Sequence, residues 1–152
     1  MIKMIALDLD ETLLNTDKTI SEENATALRQ LHEAGIKIVL CTGRPINAIW
    51  HYLEQLGLTT DDDYTITFNG ALVIQNSTKE ALAQSGLSRN DFEPLHAFAA
   101  ANHYPMDVLD FDQVYPIADL TPSVYEQMLK APMKFIPVSY THLRAHETLR
   151  HL

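Results

Sequence analysis

Ile5-Ala6-Leu7-Asp8-Leu9-Asp10-Glu11-Thr12-Leu13-Leu14 is the stretch on which the reading of the chain turns. Met1 to Leu7 is apolar apart from Lys3, and a run of this kind reads as a buried β-strand. Two carboxylates one residue apart follow at once. In a parallel α/β sheet, ligands collect where strands end on their carboxyl side. Asp8 and Asp10 are therefore expected at a strand tip, with Leu9 between them. A carboxylate placed there can hold a hard cation and attack phosphorus to give an aspartyl-phosphate. A second one, two residues on, can protonate the leaving oxygen and then activate water. The plain alternative is a solvated turn after a strand, but a D-x-D followed by Thr12 and a second apolar pair makes that reading the weaker one.

The next element supports a βαβ unit. Ser21 can cap a helix whose inner face carries Ala25, Leu28, Leu31 and His32, with Gly35 as its stop. Ile36 to Cys41 is a second strand, expected parallel to the first. It ends in Thr42-Gly43-Arg44-Pro45. Thr42 offers a hydroxyl donor, and Gly43 lets the backbone approach an anion. Pro45 suits the start of a helix whose N-terminus favours phosphate. Ala48, Ile49, Tyr52, Leu53 and Leu56 form the inner stripe of that helix, and Gly57 ends it. Asp61-Asp62-Asp63 reads as a solvated acidic loop. Tyr64 to Phe68 is a third strand, ending at Asn69-Gly70, a dipeptide that first signals a hairpin turn. Cys41 reads as a small buried apolar residue.

D-L-D-E-T-L-L, T-G-R-P and T-F-N-G-A-L-V together resemble the haloacid-dehalogenase-like hydrolases, in particular their Cof-type sugar-phosphate phosphatases. Glu11 stands where Gly is commoner. The resemblance implies that Asp8 is the nucleophile and a Mg²⁺ ligand. It implies that Asp10 is the general acid/base and binds the metal through its backbone carbonyl. Leu9, Thr42, Gly43, Arg44, Asn69 and Gly70 are implied as phosphate- or substrate-binding residues. The fold expected is α/β, a three-layer Rossmann-like parallel sheet, incomplete, with part of an inserted α/β cap. The expected division is 1–80 for the N-terminal part of the core, 81–138 for a partial cap and 139–152 for a non-native tail. The cap portion is expected to hold a helix from Phe92 to Asn102 with Leu95, Phe98 and Ala99 inward. A hairpin around Phe111-Asp112 and a helix from Thr121 to Leu129 follow.

Composition bounds these expectations. With 152 residues and a net charge of −9, the chain lacks the basic footprint of a nucleic-acid binder. No apolar stretch reaches membrane-spanning length, and the N-terminus has no signal-peptide pattern. Cys41 is the single cysteine, so a reducing, cytoplasmic location is expected. The partner expected is a small phosphorylated substrate, with neither nucleic acid nor membrane. The family's downstream Lys and second acidic motif do not follow, so weak or no turnover is expected, and the strand carrying Asp8 is left as an open edge. The tail gathers His142, His146 and His151 and resembles a translated adaptor. The alternative function is a non-catalytic module that binds a phosphorylated ligand or a partner on the same scaffold.

Overall fold

The structure, a computed structural model, describes residues 2–131 and 133–141. It divides into two compact units, Met1–Gln84 and Ser85–Leu152. The His142, His146 and His151 group lies outside the described residues.

The first unit is built on a five-stranded sheet. Its strands are β1 (Met4–Leu7), β2 (Lys37–Cys41), β3 (Tyr64–Thr67), β4 (Leu72–Gln75) and β5 (Ala81–Gln84), in that spatial order. β1, β2 and β3 are parallel, with Leu7 beside Leu40 and Cys41 beside Ile66. β4 and β5 add two antiparallel strands. The parallel core expected from sequence is thus present and extended. β5 joins this first sheet, so the sheet runs four residues past the boundary drawn at residue 80. The Asn69-Gly70 hairpin exists, but its loop is Phe68–Ala71, between the paired Thr67 and Leu72.

Helix α1 (Glu22–Glu33) connects β1 to β2, and Ser21 Oγ accepts the Asn24 amide at its start. The chain after Pro45 does not form one helix. A 3₁₀ turn, Ile46–Ala48, is followed by α2 (Trp50–Leu56), because Ile49 at φ −126° and ψ −1° interrupts the helical path. The phosphate-favouring dipole expected at Pro45 is therefore that of a single turn. The inner stripe does hold: Ala48, Ile49, Tyr52, Leu53 and Leu56 are all buried. Arg29 Nη1 of α1 donates to the Gln55 carbonyl, joining the two helices at 3.1 Å.

β1 is the open edge expected from sequence, paired with β2, but it is not the buried strand its apolar run suggests: Met4 is 60% exposed. Its apolar run reflects hydrophobicity without a second neighbour to cover it. Asp63 is not solvated: it is 1% exposed, and its carboxylate accepts from the Thr60 amide, the Thr60 hydroxyl and His32 Nε2 at 2.7–2.9 Å. A buried acid is tolerated when its oxygens are filled in this way.

The second unit holds α3 (Arg89–Asn102), β6 (Asp107–Leu109), β7 (Gln113–Pro116), α4 (Tyr125–Leu129) and β8 (Lys134–Phe135). Ser88 and Asp91 form a reciprocal capping box for α3. Phe92, Val108 and Ile117 centre its core, with Met106, Tyr115, Leu120, Val138 and Tyr140 against them. Phe92 and Ala99, seven residues apart, share the buried stripe of α3. Leu95 and Phe98 fall beside that stripe and are exposed, contrary to expectation. Tyr140, within the stretch set aside as a tail, stacks on His96 at 3.8 Å, and its amide donates to Asp119.

Replacing Asp63 with Ala strands the Thr60 amide and His32, and the loss is expected at about 2 kcal/mol. Asp61→Ala, at an exposed site, is expected within about 0.5 kcal/mol of wild type. Urea unfolding followed by fluorescence of Trp50, the single tryptophan, measures both.

Candidate active site

Parallel pairing of β1, β2 and β3 brings three loops to one end of the sheet. They begin at Asp8, Thr42 and Phe68. These loops carry every candidate site residue named from sequence, and hydrogen bonds tie them together.

The first loop is a wide turn in which the Leu14 amide donates to the Leu9 carbonyl at 2.8 Å. Leu9 is fully buried, so its side chain fills the core and cannot touch a ligand. Asp8 is exposed, and its carboxylate has no side-chain or backbone partner among the described residues. Asp10 is the opposite case. Arg44 grips it with two bonds, Nε to Oδ2 at 2.7 Å and Nη2 to Oδ1 at 2.9 Å. Lys18 Nζ adds a third at 2.6 Å to Oδ1. The Arg44 guanidinium, and after it Lys18, hold the Asp10 carboxyl at about 2, against the partial burial that raises it.

The second loop is buttressed by the third. The Asn69 amide donates to the Thr42 carbonyl at 3.2 Å, and the Phe68 amide to the Arg44 carbonyl at 3.3 Å. A Cβ on Gly43 would meet Asn69 Oδ1 at 2.6 Å, so any side chain there would have to push the Asn69 carboxamide aside. Thr42 is buried, and its hydroxyl oxygen accepts the Arg44 amide at 3.1 Å, which leaves its own proton free to donate. Gly70, at φ 93°, stands clear of neighbours. Cys41 is half-buried, and burial, then the charge of Asp8, pushes its thiol up, away from the reactive thiolate.

Asp8 is the carboxylate open to a cation. Among the described residues no three His, Cys, Asp or Glu side chains cluster to form a closed metal cage. Mg²⁺ does not need one, since it takes one or two carboxylates and completes its shell with water and phosphate oxygens. The hard oxygen of Asp8 fits that ion. Sequence reasoning missed Lys18, which stands in the polar stretch Asn15-Thr16-Asp17-Lys18. The turn folds back through the Leu14–Ile20 bridge, and that return is what carries Lys18 to Asp10.

Glu11 lies at φ 59° and ψ 9°, a left-handed conformation that costs a non-glycine residue about 1 kcal/mol. This is the physical reason glycine suits the position. Glu11→Gly is expected to raise stability by roughly 0.5 kcal/mol, after the entropy glycine adds to the unfolded chain. The urea midpoint reported by Trp50 tests it.

Comparison with known proteins bears on the fold and the family. A family model described as haloacid dehalogenase-like hydrolase matches residues 5–148. YxeH of Bacillus subtilis is 38% identical over 138 residues, covering 89% of this chain and 51% of its own length. The 5-amino-6-(5-phospho-D-ribitylamino)uracil phosphatase YitU of the same organism is 44% identical over 70 residues, 46% of this chain and 25% of that protein. A haloacid dehalogenase-like hydrolase from Bacteroides thetaiotaomicron superposes with a TM-score of 0.76 at 28% identity, over 91% of this chain and 52% of the other. The chain thus spans about half the length of YxeH and of that solved structure. Motif order, sheet and relatives converge: the chain belongs to the haloacid dehalogenase-like hydrolases.

Proposed function

We propose that this chain carries the phosphoryl-transfer half-site of a Mg²⁺-dependent phosphatase acting on small phosphorylated metabolites, with sugar phosphates the favoured class. The observation that carries the reading is the contrast at the end of β1: Asp8 exposed and unpartnered, Asp10 gripped by two cations, and the Thr42–Gly43 loop beside them. YitU and the HMP-PP phosphatase of Klebsiella pneumoniae, 33% identical over 94 residues, are both named for small phosphorylated substrates. A cytoplasmic location suits such substrates, and among the described residues no helix is long and apolar enough to cross a membrane. The second unit is read as the beginning of an inserted cap.

In this reading an Asp8 oxygen attacks phosphorus, an O–P bond forms and the bond to the alcohol oxygen breaks. Thr42, Gly43 and Arg44 bind the phosphate oxygens, with Asn69 and Gly70 bordering them. Water then attacks the aspartyl-phosphate and gives its proton to the Asp10 carboxylate, freeing phosphate and restoring Asp8. Asp8, and Asp10 through its backbone carbonyl, would hold Mg²⁺, which when bound offsets charge on the transferring phosphate. Asp10 at rest is a base with no proton to give. To protonate the leaving alkoxide it must first loosen from Arg44 and Lys18 and take up a proton from solvent, so turnover by the 152-residue chain is expected to be slow. The proton it later takes from the attacking water readies it for the next cycle. A non-catalytic phosphate-binding module is the second reading, favoured by that same grip on Asp10.

Beryllofluoride with Mg²⁺ mimics an aspartyl-phosphate, and fluorine NMR of the 152-residue chain should show a bound signal that Asp8→Asn abolishes. Phosphate-ester binding that survives Asp8→Asn, with no bound beryllofluoride in wild type, would turn the assignment to the binding module. A second expectation concerns pH. Because the folded carboxyl of Asp10 is held at about 2, below its ordinary 3.8, its ion pairs are fully formed above about pH 4. They are lost as pH falls through about 2. A carbon-detected titration of Asp10 should give that low midpoint, and Arg44→Met should raise it.

A further inference from the structure

We propose that Lys18 is a positioning residue of this site, holding Asp10 in one orientation, and that Tyr52 in turn positions Lys18. The inference deepens the phosphoryl-transfer reading and rests on it for the role of Asp10. Lys18 sits eight residues beyond Asp10, in a turn that is over-determined. Its amide donates to the Asn15 carbonyl at 2.9 Å, and the Asn15 amide to the Thr19 carbonyl at 2.8 Å. Asp17 accepts from both the amide and the hydroxyl of Thr19. These bonds hold Lys18 at φ 66°, a left-handed conformation a lysine does not choose unaided.

One bond anchors this turn to the core of the first unit. The Tyr52 hydroxyl donates to the Lys18 carbonyl at 2.6 Å. Tyr52 is buried on α2, and its phenol stays protonated as a donor because burial pushes its ionisation up. With its carbonyl pinned, Lys18 extends a side chain that is three-quarters covered, and its ammonium meets Asp10 Oδ1. A lysine on an ordinary surface turn loses much side-chain entropy in making such a pair. Here the backbone is already fixed, so less freedom remains to be lost. The geometry also divides labour between the two acids. Arg44 approaches Asp10 from the loop after β2 and Lys18 from the turn before α1, so the Asp10 carboxylate is clamped from two chain segments. Its oxygens are committed, and Asp8 is left as the carboxylate that can turn toward cation and phosphorus.

The test is the side-chain conformation of Asp10 in the isotopically labelled 152-residue chain, read from three-bond couplings between its Cγ and the backbone nitrogen and carbonyl carbon. Wild type should show a single rotamer. Lys18→Met should bring the couplings to rotamer-averaged values, and Lys18→Arg should restore the single-rotamer pattern. Tyr52→Phe, which keeps the ring and removes the hydroxyl, should average them in part. A merely structural role for Lys18 would lower the unfolding midpoint without moving these couplings. Wild-type couplings in Lys18→Met overturn the proposal. Should that variant not fold, unchanged couplings in Tyr52→Phe overturn it and averaged ones support it. The beryllofluoride signal is scored separately: its absence sinks the phosphoryl-transfer reading and leaves the Lys18 result standing as organisation of Asp10 alone.

Discussion

The forked pair between Arg44 and Asp10 is the contact on which the site depends. Backbone hydrogen bonding in the sheet aligns β1 with β2, but it stops at Leu7 and Cys41. Beyond those residues nothing in the sheet fixes how the two loops face one another. The guanidinium fixes it, because its planar fork matches a carboxylate in one orientation. Arg44 is nearly enclosed, so its charge is poorly served by water and needs a partner close by. The third loop completes the arrangement from the other side, where Phe68 and Asn69 donate to the carbonyls of Arg44 and Thr42. One cation thus links the ends of three strands.

Much of this was legible because it rests on local chemistry. An apolar run meeting D-x-D, and a strand ending in T-G-R-P, each signal a loop at a strand tip without knowledge of what lies across from it. Ser21 as a cap and Gly57 as a stop were readable for the same reason, and Gly57 is indeed left-handed at φ 72°. What was not legible depends on partners distant in sequence. Asp63 looked solvated because its neighbours Asp61 and Asp62 are, yet His32, thirty-one residues earlier, buries it. The apolar run of β1 reads as buried because hydrophobicity reports only what a strand could cover, and the open edge expected for the same strand is what leaves Met4 exposed. Leu95 and Phe98 were assigned inward on helical spacing alone, and the spacing does not say which of two adjoining stripes meets the sheet. Lys18 was missed because a lysine in a polar turn is ordinarily solvated, and only the return of the chain at Leu14 and Ile20 carries it to Asp10.

The division of charge within the site follows from the same contacts. Asp8 and Asp10 are two residues apart in an acidic protein, and two like charges so close repel. Arg44 and Lys18 remove that repulsion by neutralising Asp10 alone. Asp8 keeps a carboxylate with open oxygens, the property a nucleophile or a metal ligand needs. Identical side chains, on one loop, are made chemically different by what reaches them from β2 and from the turn before α1.

The cost of this arrangement is visible in the backbone. Among the described residues seven non-glycine residues have positive φ, and four of them, Glu11, Lys18, Phe68 and Asn69, lie in the loops around the site. Each such conformation costs roughly 1 kcal/mol or more and persists only where the surroundings over-determine it. Here they do. Glu11 is closed inside the Leu9–Leu14 turn, Lys18 is pinned by Tyr52 and Asn15, and Phe68 and Asn69 are held by the loop after β2. Relaxing Phe68 or Asn69 toward ordinary dihedrals would break the bonds to Arg44 and Thr42 and withdraw Asn69 from Gly43. Strain in the third loop is therefore coupled to the shape of the second, and through Arg44 to Asp10 in the first. A substitution at Asn69 would be felt at Asp10 without touching it, through two hydrogen bonds and one ion pair.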